Sequence, residues 1–547
     1  MVREITSTFI LVGPLPYLIA GLLIGVGADR HKSLERSVST KAAWFALLCA
    51  IGAGVGFVLT PQHDATIVSV SLPAPFVAFK IATLINPLTL IMFLLVSYMG
   101  SIVSRFSSSY MAGDIHEGRF HRWLSLTLGA FLLLITADNM WEFWIFFVAA
   151  SVSLHKLLVF YKERPLAVVA ARKKFILSRV ADVSLFTAFV LIATNLKVSS
   201  ISAAVLRVDR LHYPLQTDLQ IAAGLVVLTA ILKSGVFPLH GWLIQVMEAP
   251  TQVSALLHAG LIYTGAFLLL RVSSLIAHVQ WSWTVLVIVG LGSILVSSLA
   301  MMAETNIKES LAYSTSAQLG FMMMECGLGL YSVAVLHIVA HSVYKAHAFL
   351  SSGSVVDNFR GATLQKTKAD QTITRALLAI VVSGVVTFFV GMVFGVRFQS
   401  QPTLLAVGVI LTMAMSQLLL QGLNQSARAS AALLVRVAVI SIFVCGAYFA
   451  LHDLSTLVLA SSVPSDHVQA DRVPIWLLTV VGVSFTTLLL VQQLLPRLSA
   501  TRFGKALYAG IYNGLYVDLF LSQVMNLDAT KISKSKLSSS SKHSLSR

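Results

Sequence analysis

Charge is scarce in this chain. Asp, Glu, Lys and Arg make up 11% of its 547 residues, against about 25% in an ordinary soluble domain, which excludes a soluble fold of this size. Cysteine is scarcer: Cys49, Cys326 and Cys445 each lie in an apolar stretch with no CxxC spacing. Neither a disulfide framework nor a thiolate metal site is expected. No phosphate loop, GxGxxG turn or HExxH pair stands in a fitting context, so nucleotide chemistry has no support and no cofactor is expected. No repeat of roughly 20–50 residues is visible. The first apolar segment lacks a strong basic flank and a small-residue cleavage site, so it reads as a span, not a cleaved signal.

What the chain has is apolar length. Hydrophobic residues are 56% of the total and the mean hydropathy is +0.82. Apolar segments long enough to span fall near residues 8–28, 42–60, 82–102, 122–137, 139–161, 175–195, 219–238, 250–271, 282–302, 309–328, 331–352, 374–396, 402–423, 430–452 and 475–495. The expectation is an all-α polytopic bundle of about fifteen transmembrane helices. Residues 1–80 hold the N-terminal spans, 81–355 a core and 356–495 the C-terminal spans. Residues 496–530 read as an amphipathic or partner-docking segment, and 531–547 as a disordered Ser/Lys-rich tail.

The formal net charge is +16. Its carriers cluster in short loops without interleaved aromatics, which points to topology and anionic lipid, not nucleic acid. Arg30 to Lys41, Arg105 to Arg122, Lys162 to Lys174 and Arg360 to Arg375 all follow odd-numbered spans. The loops with His63 and Asp64, and with Asp453, Asp466 and Asp471, follow even-numbered ones. The N-terminus is therefore expected outside and the C-terminus in the cytoplasm.

Against this background a few polar groups stand out. Lys233 sits inside an otherwise apolar stretch, Leu219 to Phe237, where an ammonium costs at least roughly 2.5–3.5 kcal/mol on insertion scales. Gly235 and Pro238 follow it and predict a helix broken near 233–240, tolerated at membrane depth only where it lines a cavity or packs on protein. Snorkelling to an interface is the competing reading. Pro250 opens the next span, with Ser254 and then His258 about two turns inside. His337, His341 and Lys345 recur every fourth residue on one helical stripe, and imidazoles there suit a proton relay. A zinc pair is the alternative, but no third ligand is evident. Arg179 and Asp182 lie one turn apart and can pair; Lys308, beside Glu304 and Glu309, is either a relay member or an interfacial anchor.

These residues resemble a known family. Lys233-Ser, Pro238, Trp242-Leu, Ala249-Pro250-Thr251, Val253-Ser254-Ala255-Leu256 and His258-Ala259 are similar to the antiporter-like proton-conducting subunits of respiratory complex I and Mrp-type antiporters. So are Ile307-Lys308, Leu311-Ala-Tyr-Ser-Thr, Gln318-Leu-Gly, the His337 stripe, Phe106-Ser-Ser-Ser-Tyr-Met and Arg179-Val-Ala-Asp182. The resemblance runs from about residue 80 to 355. It implies two inverted five-helix repeats, and a Lys233 paired with a carboxylate on the fifth span. It also implies a relay through His258, Lys308, His337 and His341 toward an exit lysine. Two alignments of the fifth span disagree: one puts Val148 at the carboxylate place, the other selects Glu142. No lysine stands where the twelfth helix should hold one; Arg397 and Arg436 are the nearest cations, and arginine holds its proton too tightly to relay it.

The long lateral helix of the large complex I subunit is also missing, and a shortened chain of this kind resembles the DabB membrane subunits of two-component inorganic carbon accumulation complexes. That resemblance implies a bacterial plasma membrane protein, not itself an enzyme. Its proton or sodium flow would drive CO2 hydration to bicarbonate in a peripheral, zinc-binding DabA-like partner. A proton-pumping or antiporter subunit of a complex I-like, hydrogenase or Mrp assembly is the alternative.

Overall fold

Helix boundaries in this chain are written by asparagine, proline and glycine. In the computed structural model, which describes residues 2–24, 27–59, 66–72, 79–211, 214–352, 373–396, 402–424, 431–464, 473–498 and 501–525, Asn86 caps a helix by accepting from Thr89 N at 2.9 Å, with Pro87 at its first position. Asn139 and Asn306 cap two others through Trp141 N and Lys308 N. Each cap satisfies an amide that the first helical turn leaves without a partner.

In chain order the helices are α1 (Val2–Val12), α2 (Leu15–Leu18), α3 (Lys32–Val58), α4 (Pro87–Tyr110), α5 (Glu117–Thr136), α6 (Met140–Leu158), α7 (Pro165–Leu196), α8 (Ile201–Val208) and α9 (Thr217–Ser234). They continue with α10 (Gly241–Gln245), α11 (Thr251–Ala259), α12 (Thr264–Arg271), α13 (Ser273–Ala277), α14 (Gln280–Ala303), α15 (Ile307–Gly327) and α16 (Tyr331–Leu350). The last are α17 (Ile373–Val393), α18 (Pro402–Asn424), α19 (Ala431–Leu459), α20 (Ile475–Leu498), α21 (Arg502–Tyr512) and α22 (Val517–Val524).

Each apolar segment expected to span contains a helix among the described residues. Among the described residues, 11 helices are long and apolar enough to cross a membrane, and 379–393 and 406–420 are shorter apolar helices. The two remaining expected spans are α5 and α15, both as long as a span but enriched in polar and charged side chains, Arg119 to Arg122 in one and Lys308, Glu309 and Glu325 in the other. The span Thr251–Arg271 is 94% buried over its apolar window, whereas Ala438–Leu459 is 22% buried. The first is the centre of the bundle; α19 lies at its edge, and its exposed Phe443 and Leu457 suit a lipid-facing surface.

One element departs from the all-helical expectation. Thr66–Leu72 pairs antiparallel with Phe79–Ile85, Val70 opposite Ile81. The run Thr-Ile-Val-Ser-Val-Ser-Leu alternates with the period of a strand, so the third span starts at Pro87, not at 82. The hairpin is tied to the bundle where Asp138 N donates to Ala82 O at 2.7 Å.

Buried polar groups lock the centre. The Arg271 guanidinium donates to Thr89 Oγ1 at 2.8 Å, Ile135 O at 3.1 Å and Ala137 O at 2.9 Å, placing a cation on the C-terminal carbonyls of α5. Arg397 and the tail at 531–547 lie outside the described residues, as does the side chain of Arg436.

The pair α14 and α15 packs backbone to backbone. A Cβ on Gly320 would stand 2.6 Å from Gly290 O, and one on Gly290 would stand 2.5 Å from Gly320 O. Small residues permit such close helix contact in lipid. Gly320→Val should therefore push the helices apart and lower the detergent melting temperature by several degrees; an unchanged melting curve would show that the contact is not required.

Candidate functional site

Lys233 sits in the last turn of α9, which Gly235 ends in the left-handed region at φ 58°. The chain then turns through Val236 to His240 and resumes as the short α10. The break predicted near 233–240 is present, with Pro238 inside it. Lys233 is not snorkelling: its side chain is 7% exposed, and its Nζ lies 3.0 Å from Asp182 Oδ1 and 4.1 Å from the centre of the Phe147 ring. Asp182 Oδ2 in turn lies 2.7 Å from Arg179 Nη2. One carboxylate thus serves two cations, and Trp144 Nε1 fixes that turn of α7 by donating to Asp182 O at 2.8 Å.

The carboxylate implied for the fifth span does not fill this role. Glu142 stands at the start of α6, where its Oε2 accepts from Ala82 N of the hairpin at 3.0 Å. Among the described residues it forms no ion pair. The partner of Lys233 comes from the sixth span, and it is Asp182.

A second lysine faces the same space. Lys174 of α7 donates to Ser151 O at 3.0 Å and Ser151 Oγ at 3.1 Å. Lys174, Lys233, Ser151, Phe147, Trp242, Leu257 and Thr264 are among the residues that line a cavity of about 30 Å3, room for a water or two. With polar partners on several sides, water can bridge the two ammonium groups there.

The wall of this cavity formed by Leu257, Leu261 and Ile262 leads to the histidines. His258 of α11 is fully buried, and neither ring nitrogen has a hydrogen-bond partner among the described residues. Its ring stacks on Phe349 at 4.5 Å between centroids. Beyond it the central span breaks at Gly260 and makes a single 3-10 turn, Leu261–Tyr263. That turn aims the Tyr263 hydroxyl at His258 O, 2.8 Å away, and at His341 Nδ1, 2.7 Å away. A hydroxyl has one proton; if it donates to the carbonyl, His341 Nδ1–H is the donor to Tyr263. The other ring nitrogen of His341 is then bare and buried.

One turn away His337 contacts Glu325, its Nδ1 lying 3.1 Å from each carboxylate oxygen, and its Nε2 lies 2.6 Å from Gln318 Oε1. The two imidazoles are 6.2 Å apart. Lys345, wholly buried, donates to Leu311 O at 2.7 Å. Lys308 donates to Thr251 Oγ1 at 3.1 Å, which ties it to the first turn of α11 just after Pro250. Ser254, on that helix, is buried with its hydroxyl unpartnered among the described residues.

The stripe on α16 thus stands against Tyr263 and Glu325, both outside the residues singled out from sequence. Glu325 had a signal: a carboxylate in an apolar span, twelve positions before His337. Tyr263 had none, because the break at Gly260 carries no proline. Among the described residues no cluster of His, Cys, Asp and Glu could hold a metal ion.

Residues 137–394 match the family described as NADH:quinone oxidoreductase/Mrp antiporter, TM, and residues 73–121 match the complex I chain 5 N-terminus. The chain is 38% identical to "Probable inorganic carbon transporter subunit DabB2" of Halothiobacillus neapolitanus, over 95% of this chain and 93% of the relative. It is 44% identical to "Probable inorganic carbon transporter subunit DabB" of Hydrogenovibrio crunogenus, over 50% of this chain and 53% of that one. Its fold is similar to a chain of the Mrp complex from Dietzia sp. DQ12-45-1b, with a TM-score of 0.62 at 18% identity, covering 95% of this chain and 59% of that one.

The two carboxylates can be told apart by experiment. Asp182→Asn leaves the Lys233 ammonium without its counter-charge, a loss of about 3–5 kcal/mol for a buried pair. Glu142→Gln keeps an oxygen for Ala82 N, so it should change little. Cation flux through the reconstituted protein should fall to background in the first and persist in the second; the reverse ranking would return the role to Glu142.

Proposed function

The chain belongs to the antiporter-like membrane subunits of the NADH:quinone oxidoreductase/Mrp family, of the DabB kind, and from this premise we propose that it is the cation-conducting subunit of a two-component inorganic carbon uptake complex. Protons or sodium ions moving through it drive the one-way hydration of CO2 to bicarbonate in a peripheral, zinc-bearing partner. The chain conducts and couples; the partner carries out the chemistry.

The observation that carries this reading is the Asp182–Lys233 pair at a helix break, beside a small cavity that both Lys233 and Lys174 line, in the middle of an apolar bundle. A buried pair of this kind stores a charge whose release depends on its partner: when a cation approaches, Asp182 can shift its allegiance between Arg179 and Lys233. A proton released by Lys233 passes by cavity water toward His258, then by Tyr263 and His341 to His337 and Glu325. An imidazole with a bare nitrogen can take up such a proton there and release one from its other nitrogen. Lys345 and Lys308 flank this line at the far side of α11 and α15, with Pro250, Ser254 and Pro238 shaping the segments that carry it.

In this reading the chain lies in a bacterial plasma membrane with its N-terminus outside and its C-terminus in the cytoplasm, which the basic loops after odd-numbered spans support. The partner then docks from the cytoplasm, where the C-terminal segment is exposed.

Purifying the tagged chain in mild detergent, with mass spectrometry of what accompanies it and a zinc assay, tests the reading. One large soluble protein carrying zinc is the expected companion. A set of quinone-reductase, hydrogenase or Mrp subunits would overturn the assignment in favour of redox-driven pumping or antiport.

A further inference from the structure

The C-terminal segment does more than follow the last span. Helices α21 and α22 lie against α10, α14 and α15: Tyr508 donates to Ala303 O at 3.3 Å, and Ile511 packs with Tyr313 and Ala300. Between the two helices Gly514, Leu515 and Tyr516 hold φ of 56°, 54° and 59°. Two of these are residues that rarely adopt the left-handed region, and such strain persists only where the surroundings impose it. The turn delivers Asp518 to the break. Its carboxylate lies 2.8 Å and 2.9 Å from Lys173 Nζ and accepts from Gln245 Nε2 at 2.6 Å. The approach is so close that a Cβ on Gly241 would stand 2.0 Å from Asp518 Oδ1.

Two walls lead from this contact to the lysine cavity, each in a single residue step. On α7, Lys173 holds Asp518 and the adjacent Lys174 lines the cavity. On α10, Gly241 abuts Asp518 and the adjacent Trp242 lines the cavity. Lys173 is 3% exposed and Asp518 25% exposed, so the pair stands between water and the interior. Without Asp518, a cation approaching from this side would meet the uncompensated ammonium of Lys173 with Lys174 and Lys233 behind it. Among the described residues, only Asp182, already shared with Arg179, would oppose them.

We propose that residues 502–524 form a latch over the mouth of the lysine cavity, and that Asp518 makes that mouth passable to a cation by neutralising Lys173. The inference rests on the conduction reading above and adds the group that governs access to it. Asp518 is a positioning residue: it acts through the charge of Lys173 and not by relaying the ion along the histidines. Its effect is therefore electrostatic and can be cancelled by removing the cation it opposes.

The test uses the full chain with its co-purified partner in proteoliposomes, reading proton influx with an entrapped pH dye and sodium influx with a radiotracer. Asp518→Asn should cut the flux of the conducted ion at least about tenfold, as expected when a buried charge loses its partner. The double variant Lys173→Gln/Asp518→Asn should recover it to within about threefold of the parent. A merely structural role for the segment predicts no such rescue. Unchanged flux in Asp518→Asn, or a double variant no better than the single, would overturn the latch. Should Asp518→Asn fail to assemble, the exchanged pair Lys173→Asp/Asp518→Lys decides in the same way, recovered flux supporting the proposal and absent flux in an assembled protein overturning it. A parent complex without any cation flux would overturn the conduction reading itself, and the latch with it.

Discussion

A lysine at membrane depth stands only if something answers its charge, and the centre of this molecule is arranged around that answer. Asp182 reaches Lys233 because α7 and α9 pack side by side and because α9 stops one residue later, so that the ammonium projects at a helix end beside water-sized space. Remove the break and the lysine would be wrapped in a continuous helix with no cavity. Remove the carboxylate and the buried ammonium would have to shed its proton, since an isolated charge is not tolerated there. Arg179 holds Asp182 in place. The three side chains form one unit.

The same device, a break in an apolar span, appears a second time. At Gly260 the most deeply buried span gives up its regular hydrogen bonding for one tight turn, and Tyr263 is carried between two histidines. In lipid such irregularity is confined to segments enclosed by protein, and this span is the most enclosed of all. Breaks and titratable groups coincide because each needs the other: polar side chains satisfy the freed backbone, and the freed backbone gives polar side chains something to bind.

Much of this was legible in the chain itself. The helical bundle follows from apolar length, with 11 helices among the described residues long and apolar enough to cross a membrane, and Lys233, His258, His337, His341 and Lys345 stand out because each offends its surroundings. The break after Lys233 was announced by Gly235 and Pro238. What stayed hidden depends on packing. Asp182 had a satisfied neighbour one turn away in Arg179, so nothing local marked it as the partner of a lysine fifty residues on. The motif favours Glu142, yet its carboxylate is taken by the hairpin amide of Ala82, and the second strand of the hairpin merges with the third span when apolar length, not period, sets the boundary. Glu325 and Tyr263 acquire meaning only beside His337 and His341. Asp518 lies in a segment whose amphipathic character was evident but whose target, Lys173, is 345 positions away.

The claim on which the account turns is that an ion moves past Lys233. The most direct measurement compares proton and sodium flux into proteoliposomes for the parent complex and for Lys233→Ala, with assembly and membrane insertion checked in both. The account predicts flux in the parent and none above background in the variant. Equal flux in the two would contradict it and leave the Asp182–Lys233 pair a structural clamp.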